Sequence, residues 1–139
     1  MTPVQKELVQ SSFTKVEPIS DTAAELFYAR LFELDPSLKP MFSGDMEQQG
    51  KKLMTMLATA VRSLDNLDAL VPVVKRLGER HVAYGVQTGH YVTVGNALLD
   101  TLDKGLGDDF TPEVKEAWTV VYGVLSSTMI AAADEVQAQ

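Results

Sequence analysis

From Val4 to Met129 the apolar residues return at steps of three and four, and no segment alternates with period two for long enough to make a strand. That pattern leaves helices, each burying one stripe. The start signals agree. Thr2-Pro3-Val4-Gln5 offers a threonine N-cap, a proline at the first helical position and a glutamine at the capping-box position. Val4, Leu8, Val9, Phe13 and Val16 then share a face as far as Pro18. Ser20 or Asp21 is expected to cap a second helix, with Ala24, Phe27, Tyr28, Leu31 and Leu34 inward. Asp35-Pro36 stops it, because the residue before a proline avoids the helical region. Pro36 to Phe42 reads as one short turn, and Ser43-Gly44-Asp45 as a break.

A fourth helix spans about 46–63, with Leu53, Met54, Leu57 and Val61 inward. Asp65-Asn66-Leu67-Asp68 caps the next, which carries Leu70, Val74, Leu77 and His81. Pro72 fits only a first turn, so this helix is expected to start late or to split there, and Gly85 to end it. Thr88 to Lys104 is helical, with Gly105 and Gly107 as its break. Thr111-Pro112-Glu113 opens the last helix, which carries Val114, Ala117, Trp118, Val121, Tyr122, Leu125 and Met129. The expected class is all-α, seven or eight helices around one core, with residues 1–139 forming a single domain.

A net charge of −7 with scattered Lys and Arg argues against a nucleic-acid backbone or an anionic membrane surface as partner. The absence of cysteine excludes disulfides, thiolate metal sites and a cysteine nucleophile. No run approaches the roughly 18 apolar residues of a membrane span. The N-terminus has no basic region followed by an apolar run, so a cytoplasmic protein is expected.

Only two histidines occur, and His81 ends the apolar stripe through Val74 and Leu77. An imidazole on a buried face must find a hydrogen-bond partner or a metal. A lone histidine cannot build a zinc site, which takes most of its ligands from protein. It can hold a haem, whose porphyrin supplies the in-plane nitrogens and leaves one axial ligand to the protein. His90, beyond the Gly85 break, reads as an exposed helix-start residue.

The order of residues around His81 then becomes informative. Tyr28 on the second helix precedes Pro36 by eight positions, and Phe42 follows Pro36 by six. Gln49 and Leu53 stand four apart on the next helix, ahead of His81. This order resembles a globin, over almost the whole chain. It is most similar to bacterial single-domain haemoglobins, the globin domain of flavohaemoglobins and the neuroglobin-like group. Tyr91-Val-Thr-Val-Gly95-Asn-Ala-Leu-Leu99 and Ala117-Trp-Thr-Val-Val-Tyr-Gly123 resemble segments of those proteins.

The resemblance implies a haem b, iron protoporphyrin IX, with His81 as the proximal iron ligand. It implies that Phe42 stacks on the porphyrin, that Tyr28 and Gln49 are distal hydrogen-bond donors, and that Leu53 is the apolar residue above the iron. It places Lys52 where a basic residue pairs with a propionate, Leu77, Val86, Val94 and Leu98 in the pocket walls, and Tyr91 in the proximal network. Donors over a polar bound gas slow its release, each hydrogen bond to a charged acceptor being worth roughly 1.5–3 kcal/mol.

Three departures stand against the pattern. Gln49 follows Phe42 by only seven positions, a short link to the distal helix. The flavohaemoglobin glutamate of the last helix falls on Ala133, with Asp134 and Glu135 turned roughly 100° and 200° away. No Gly-rich nucleotide-binding turn is present. The resemblance implies reversible oxygen binding at a five-coordinate ferrous iron, serving transport, storage or scavenging. Two alternatives share the pocket: nitric oxide dioxygenase activity with a separate reductase, and a six-coordinate redox sensor. The expected ligands are O2, NO and CO, and the expected state is a monomer or weak dimer.

Overall fold

The computed structural model describes residues 2–42, 45–83 and 88–137. Six α-helices and four short 3-10 segments follow one another among these residues, with no strand. The first helix, α1 (Pro3–Val16), opens with both halves of the capping box: Thr2 Oγ1 accepts from the Gln5 amide and the Gln5 side chain accepts from the Thr2 amide. After a 3-10 turn at Glu17–Ile19, α2 spans Ser20–Leu34. Its N-cap is Ile19, without a side-chain cap, so Ser20 and Asp21 lie inside the first turn, where the Asp21 carboxylate faces the positive end of the helix dipole. Asp35 leaves the helix in an extended conformation, and its carboxylate accepts from the Ser37 amide at 3.1 Å to start the 3-10 helix Pro36–Met41. Asp45 caps α3 (Met46–Arg62), accepting from the Glu47 amide at 2.9 Å.

Helix α4 (Leu67–Ala83) corrects the expectation about Pro72. It neither starts late nor splits: it begins at Leu67 and carries Pro72 in its second turn. Position 72 lies past the four unpaired amides of the first turn, so the proline removes one intrahelical bond, to the Asp68 carbonyl, and it does so on an exposed face. Helix α5 (Thr88–Leu106) likewise runs through Gly105, and the chain turns only at Gly107, whose φ of 56° lies in the left-handed region that glycine enters without strain. The final helix, α6 (Pro112–Gln137), is capped by Thr111 Oγ1, which accepts from the Val114 amide at 3.3 Å. The Gly85 stop lies outside the described residues.

The stripes read from periodicity meet in one core, in which Val9, Leu31, Trp118 and Val121 are the most enclosed large side chains. The Trp118 indole N–H donates to Ser12 Oγ at 2.8 Å, satisfying a buried donor across α1 and α6. Arg30 ties α2 to α5 through Asp100 at 2.7 Å. The tightest crossing is α4 on α6. A Cβ at Gly78 would stand 2.4 Å from the Met129 carbonyl oxygen, so only glycine lets the two backbones touch there. Among the described residues, no helix is long and apolar enough to cross a membrane.

Candidate functional site

A cavity of about 220 Å³ opens between these helices, and every helix except α1 contributes to its wall. Leu31, Leu38 and Phe42 border it. Leu53, Met56, Leu57 and Ala60 line it from α3, and Leu70, Val73, Val74 and Leu77 from α4. His81, His90, Tyr91, Val94, Tyr122, Leu125 and Met129 complete it. A larger cleft of about 440 Å³ lies between α1, α2 and α3. Its rim carries the Glu17–Arg62 ion pair at 2.6 Å and it has no histidine, so size does not locate the chemistry; the donor set does.

His81 sits near the end of α4, half-buried. Its Nδ1 lies 2.6 Å from the Leu77 carbonyl oxygen, one turn earlier. A carbonyl oxygen can only accept, so Nδ1 carries the proton, and in the neutral ring Nε2 keeps the lone pair. Burial pushes the imidazole pKa below its usual value, more than the Leu77 hydrogen bond raises it, so the ring is neutral at neutral pH. A neutral imidazole oriented by a backbone carbonyl is the form that ligates a metal. No cluster of three or more His, Asp or Glu that could hold a bare ion occurs among the described residues. The set therefore suits a planar macrocycle that brings its own metal and needs one axial nitrogen between apolar walls.

On the facing side the structure brings together Tyr28, Phe42 and Gln49. Tyr28 is buried, edge-on to Phe42 at 5.4 Å and stacked on Phe32 at 6.1 Å. Its hydroxyl donates to the backbone carbonyl of Gln49 at 3.4 Å, the long limit of a hydrogen bond. Burial raises its pKa, so it remains a protonated donor. Neither Tyr28 nor half-buried Gln49 is part of the cavity wall, whereas Leu53 and Phe42 are. Lys52 is exposed on α3 and away from the wall. Leu77, Tyr91 and Val94 line the cavity, Leu98 is buried in the core beside it, and Val86 lies outside the described residues.

The ring of Tyr91 lies 6.4 Å from that of His81. Its buried hydroxyl has no hydrogen-bond partner among the described residues, and burial raises its pKa. On α6, Ala133 is buried while Asp134 and Glu135 are exposed. Tyr122 donates to the Tyr91 backbone carbonyl at 2.5 Å, with its ring lying over Gly95, where a Cβ would come within 2.8 Å. Sequence periodicity placed Tyr122 inward without giving it this role. It also missed His90, which borders the cavity half-buried instead of standing in solvent. The missed signal was its place one residue before Tyr91, in the first turn of the helix that faces His81.

One oriented histidine facing apolar walls among packed helices defines a class of site, and comparison with known proteins gives the family. The globin family profile matches residues 25–129. The chain belongs to the globin family. It is 34% identical over 128 residues to the flavohemoprotein of Bacillus subtilis, covering 89% of this chain and 32% of that protein. It is 32% identical over 126 residues to the flavohemoprotein of Vibrio cholerae, covering 88% of this chain and 32% of that protein. The chain thus spans about a third of the length of these relatives. Among solved structures, the engineered carbene transferase RmaNOD from Rhodothermus marinus superposes with a TM-score of 0.90 at 29% identity, covering 99% of this chain and 96% of that one.

Proposed function

We propose that this globin holds a haem b in the cavity through His81 and binds dioxygen reversibly at a five-coordinate ferrous iron. The observation that carries the proposal is the His81 imidazole, with its proton fixed on Nδ1 by the Leu77 carbonyl and its ring bordering an apolar cavity. Ferrous haem, when bound, supplies an open coordination position for O2, NO or CO. The chain's own residues do the rest. Leu53, Leu57 and Phe42 make an apolar wall that would keep water from the bound group, a condition that disfavours oxidation of its metal. Tyr28 brings a neutral hydroxyl to the distal side, engaged among the described residues by a long bond to the Gln49 carbonyl and so easily redirected. Leu77 holds the imidazole in one tautomer and one orientation.

The test is the absorption spectrum of the purified protein, ferric and then ferrous, beside that of His81→Ala. The native protein shows a haem spectrum and the variant loses most of its haem. A variant with unchanged haem content and spectrum would remove His81 from the axial position.

A second reading, nitric oxide dioxygenase activity with an external reductase, is favoured by the similarity to two flavohemoproteins above 30% identity. The same pocket serves it, and the two readings differ in the supply of electrons. The six-coordinate alternative gains no support from Lys52, which is not part of the cavity wall. We further infer a monomer or weak dimer in the cytoplasm.

A further inference from the structure

Charge is spread unevenly over this chain. Its net charge is −7, yet the outward face of α4 is basic. From Ala69 to Ala83 the sequence sets Lys75, Arg76 and Arg80 against one carboxylate, Glu79, and all four are exposed. Elsewhere most cations are matched. Lys6, Lys15, Arg30, Lys51 and Arg62 pair with carboxylates, and Lys104 and Lys115 stand beside Asp103 and Glu116 in the chain. Among the described residues no ion pair ties Lys75, Arg76 or Arg80. Apolar residues break the surface of the same helix: Val71 is 37% and Val73 40% exposed. Val73, Arg76 and Arg80 stand at steps of three and four, so they share one side of α4, and Val73 also borders the cavity.

The inner face of this helix carries Val74, Leu77 and His81. A helix with its side chains is about 10–12 Å across, so a partner resting on the outer face stands one helix away from whatever His81 holds. We propose that the outer face of α4, Val73 with Lys75, Arg76 and Arg80, is the docking surface for a small acidic electron-transfer protein that reduces ferric iron held by His81. This rests on the haem reading above. The step moves one electron: the donor loses it, the iron passes from ferric to ferrous, and no bond is made or broken. Unmatched cations around an exposed apolar residue favour a partner that brings carboxylates to the rim and an apolar centre. The overall charge of −7 opposes a membrane or a nucleic acid, whose charge extends beyond the face. A small protein reads only the face it touches, because at physiological salt fields fade over about 8 Å.

The test uses the ferric holoprotein and reduced flavodoxin, an acidic donor, with free reduced lumiflavin as a small donor that needs no docking face. Stopped-flow absorbance follows reduction by each. The native rate with flavodoxin falls severalfold between about 0.1 and 0.5 M salt, although both proteins carry net negative charge. The double variant Lys75→Glu with Arg76→Glu is reduced about tenfold more slowly by flavodoxin, and within about twofold of the native rate by lumiflavin. An unchanged or faster rate with flavodoxin would overturn the proposal, as would equal slowing with both donors, which would place the effect at the haem. A second measurement needs no variant. Oxidised flavodoxin added to the isotope-labelled native chain shifts the amide signals of residues 73–80, and shifts confined to other helices would refute the face. Binding of the native chain to phosphatidylserine vesicles, lost in the double variant, would assign the face to a lipid surface and overturn the proposal. A chain that shows no haem spectrum refutes the cofactor reading itself, whereas a haem-loaded chain indifferent to the charge reversal refutes the docking face alone.

Discussion

Replacing Tyr28 by Phe removes one oxygen atom from the distal side and keeps the ring among Phe27, Phe32 and Phe42. In the gas-free protein that oxygen has the Gln49 carbonyl at 3.4 Å, a bond worth at most about 0.5–1 kcal/mol at that length. A hydroxyl that turns instead to a dioxygen ligand bearing negative charge gains roughly 1.5–3 kcal/mol. The difference, about 1–2 kcal/mol, is what the substitution removes, and at about 1.4 kcal/mol per tenfold it speeds dioxygen release roughly 5- to 30-fold. Carbon monoxide carries little charge when bound and accepts poorly, so its release changes by less than about threefold. Stopped-flow dissociation rates for both gases, in native and Tyr28→Phe protein, measure the two factors. Identical dioxygen rates would mean that the hydroxyl stays on the Gln49 carbonyl throughout, and equal factors for both gases would mean that the substitution merely loosened the pocket.

Ser12→Ala leaves the buried Trp118 indole N–H without its acceptor and lowers unfolding free energy by about 1–3 kcal/mol, read from urea transitions by circular dichroism; in a Trp118→Phe background the same change costs less, and equal costs would mean that the bond contributes nothing. Burial holds the hydroxyls of Tyr28, Tyr91 and Tyr122 above the ordinary tyrosine value of 10.0, Tyr122 most of all. The unfolded chain therefore releases these protons first, so their contribution to stability is whole below pH 10 and falls as pH rises beyond it. The urea midpoint declines above that pH, less steeply in Tyr122→Phe, and a midpoint that stays level to the onset of alkaline unfolding would contradict the shifts. The oxygenated 139-residue chain consumes a single equivalent of NO and stops with NADH as sole reductant, because its sequence has no nucleotide-binding turn; added flavodoxin reductase restores slow cycling at an NO electrode, and sustained consumption with NADH alone would contradict this.

Two helix starts were legible because a side chain reaches its own backbone: Thr2 with Gln5 and Thr111 cap as their sequences imply, whereas Asp45, read only as part of a break, proves to be the cap of α3. Pro72 and Gly105 misled because both are judged by intrinsic cost, and tertiary packing of α4 and α5 outweighs the loss of one hydrogen bond or the flexibility of one glycine. His81, Phe42 and Leu53 could be placed because stripe and spacing fix their faces, and all three border the cavity. His90 could not: it follows residues 84–87, so the helical phase of α4 says nothing about the direction in which α5 begins. The Tyr28–Gln49 contact was half legible. The resemblance put both residues on the distal side as separate donors, but only coordinates show that the Gln49 backbone oxygen meets the Tyr28 hydroxyl.

At Gly78 the backbone of α4 rests on the backbone of α6, and His81 stands one turn further along. No side chain lies between the two chains there to adopt another rotamer, so the contact acts as a fixed gauge. The depth at which the imidazole enters the cavity is set by two main chains, not by the wall residues that a ligand would touch. Met56, Leu57 or Val94 can therefore be exchanged to reshape access and volume while the anchor keeps its height. A methyl group at position 78 does the reverse, lifting α4 and its histidine together while leaving those wall side chains unchanged. On the proposed haem reading, variation in this protein thus divides into two channels, one that alters what enters and one that alters how firmly it is held.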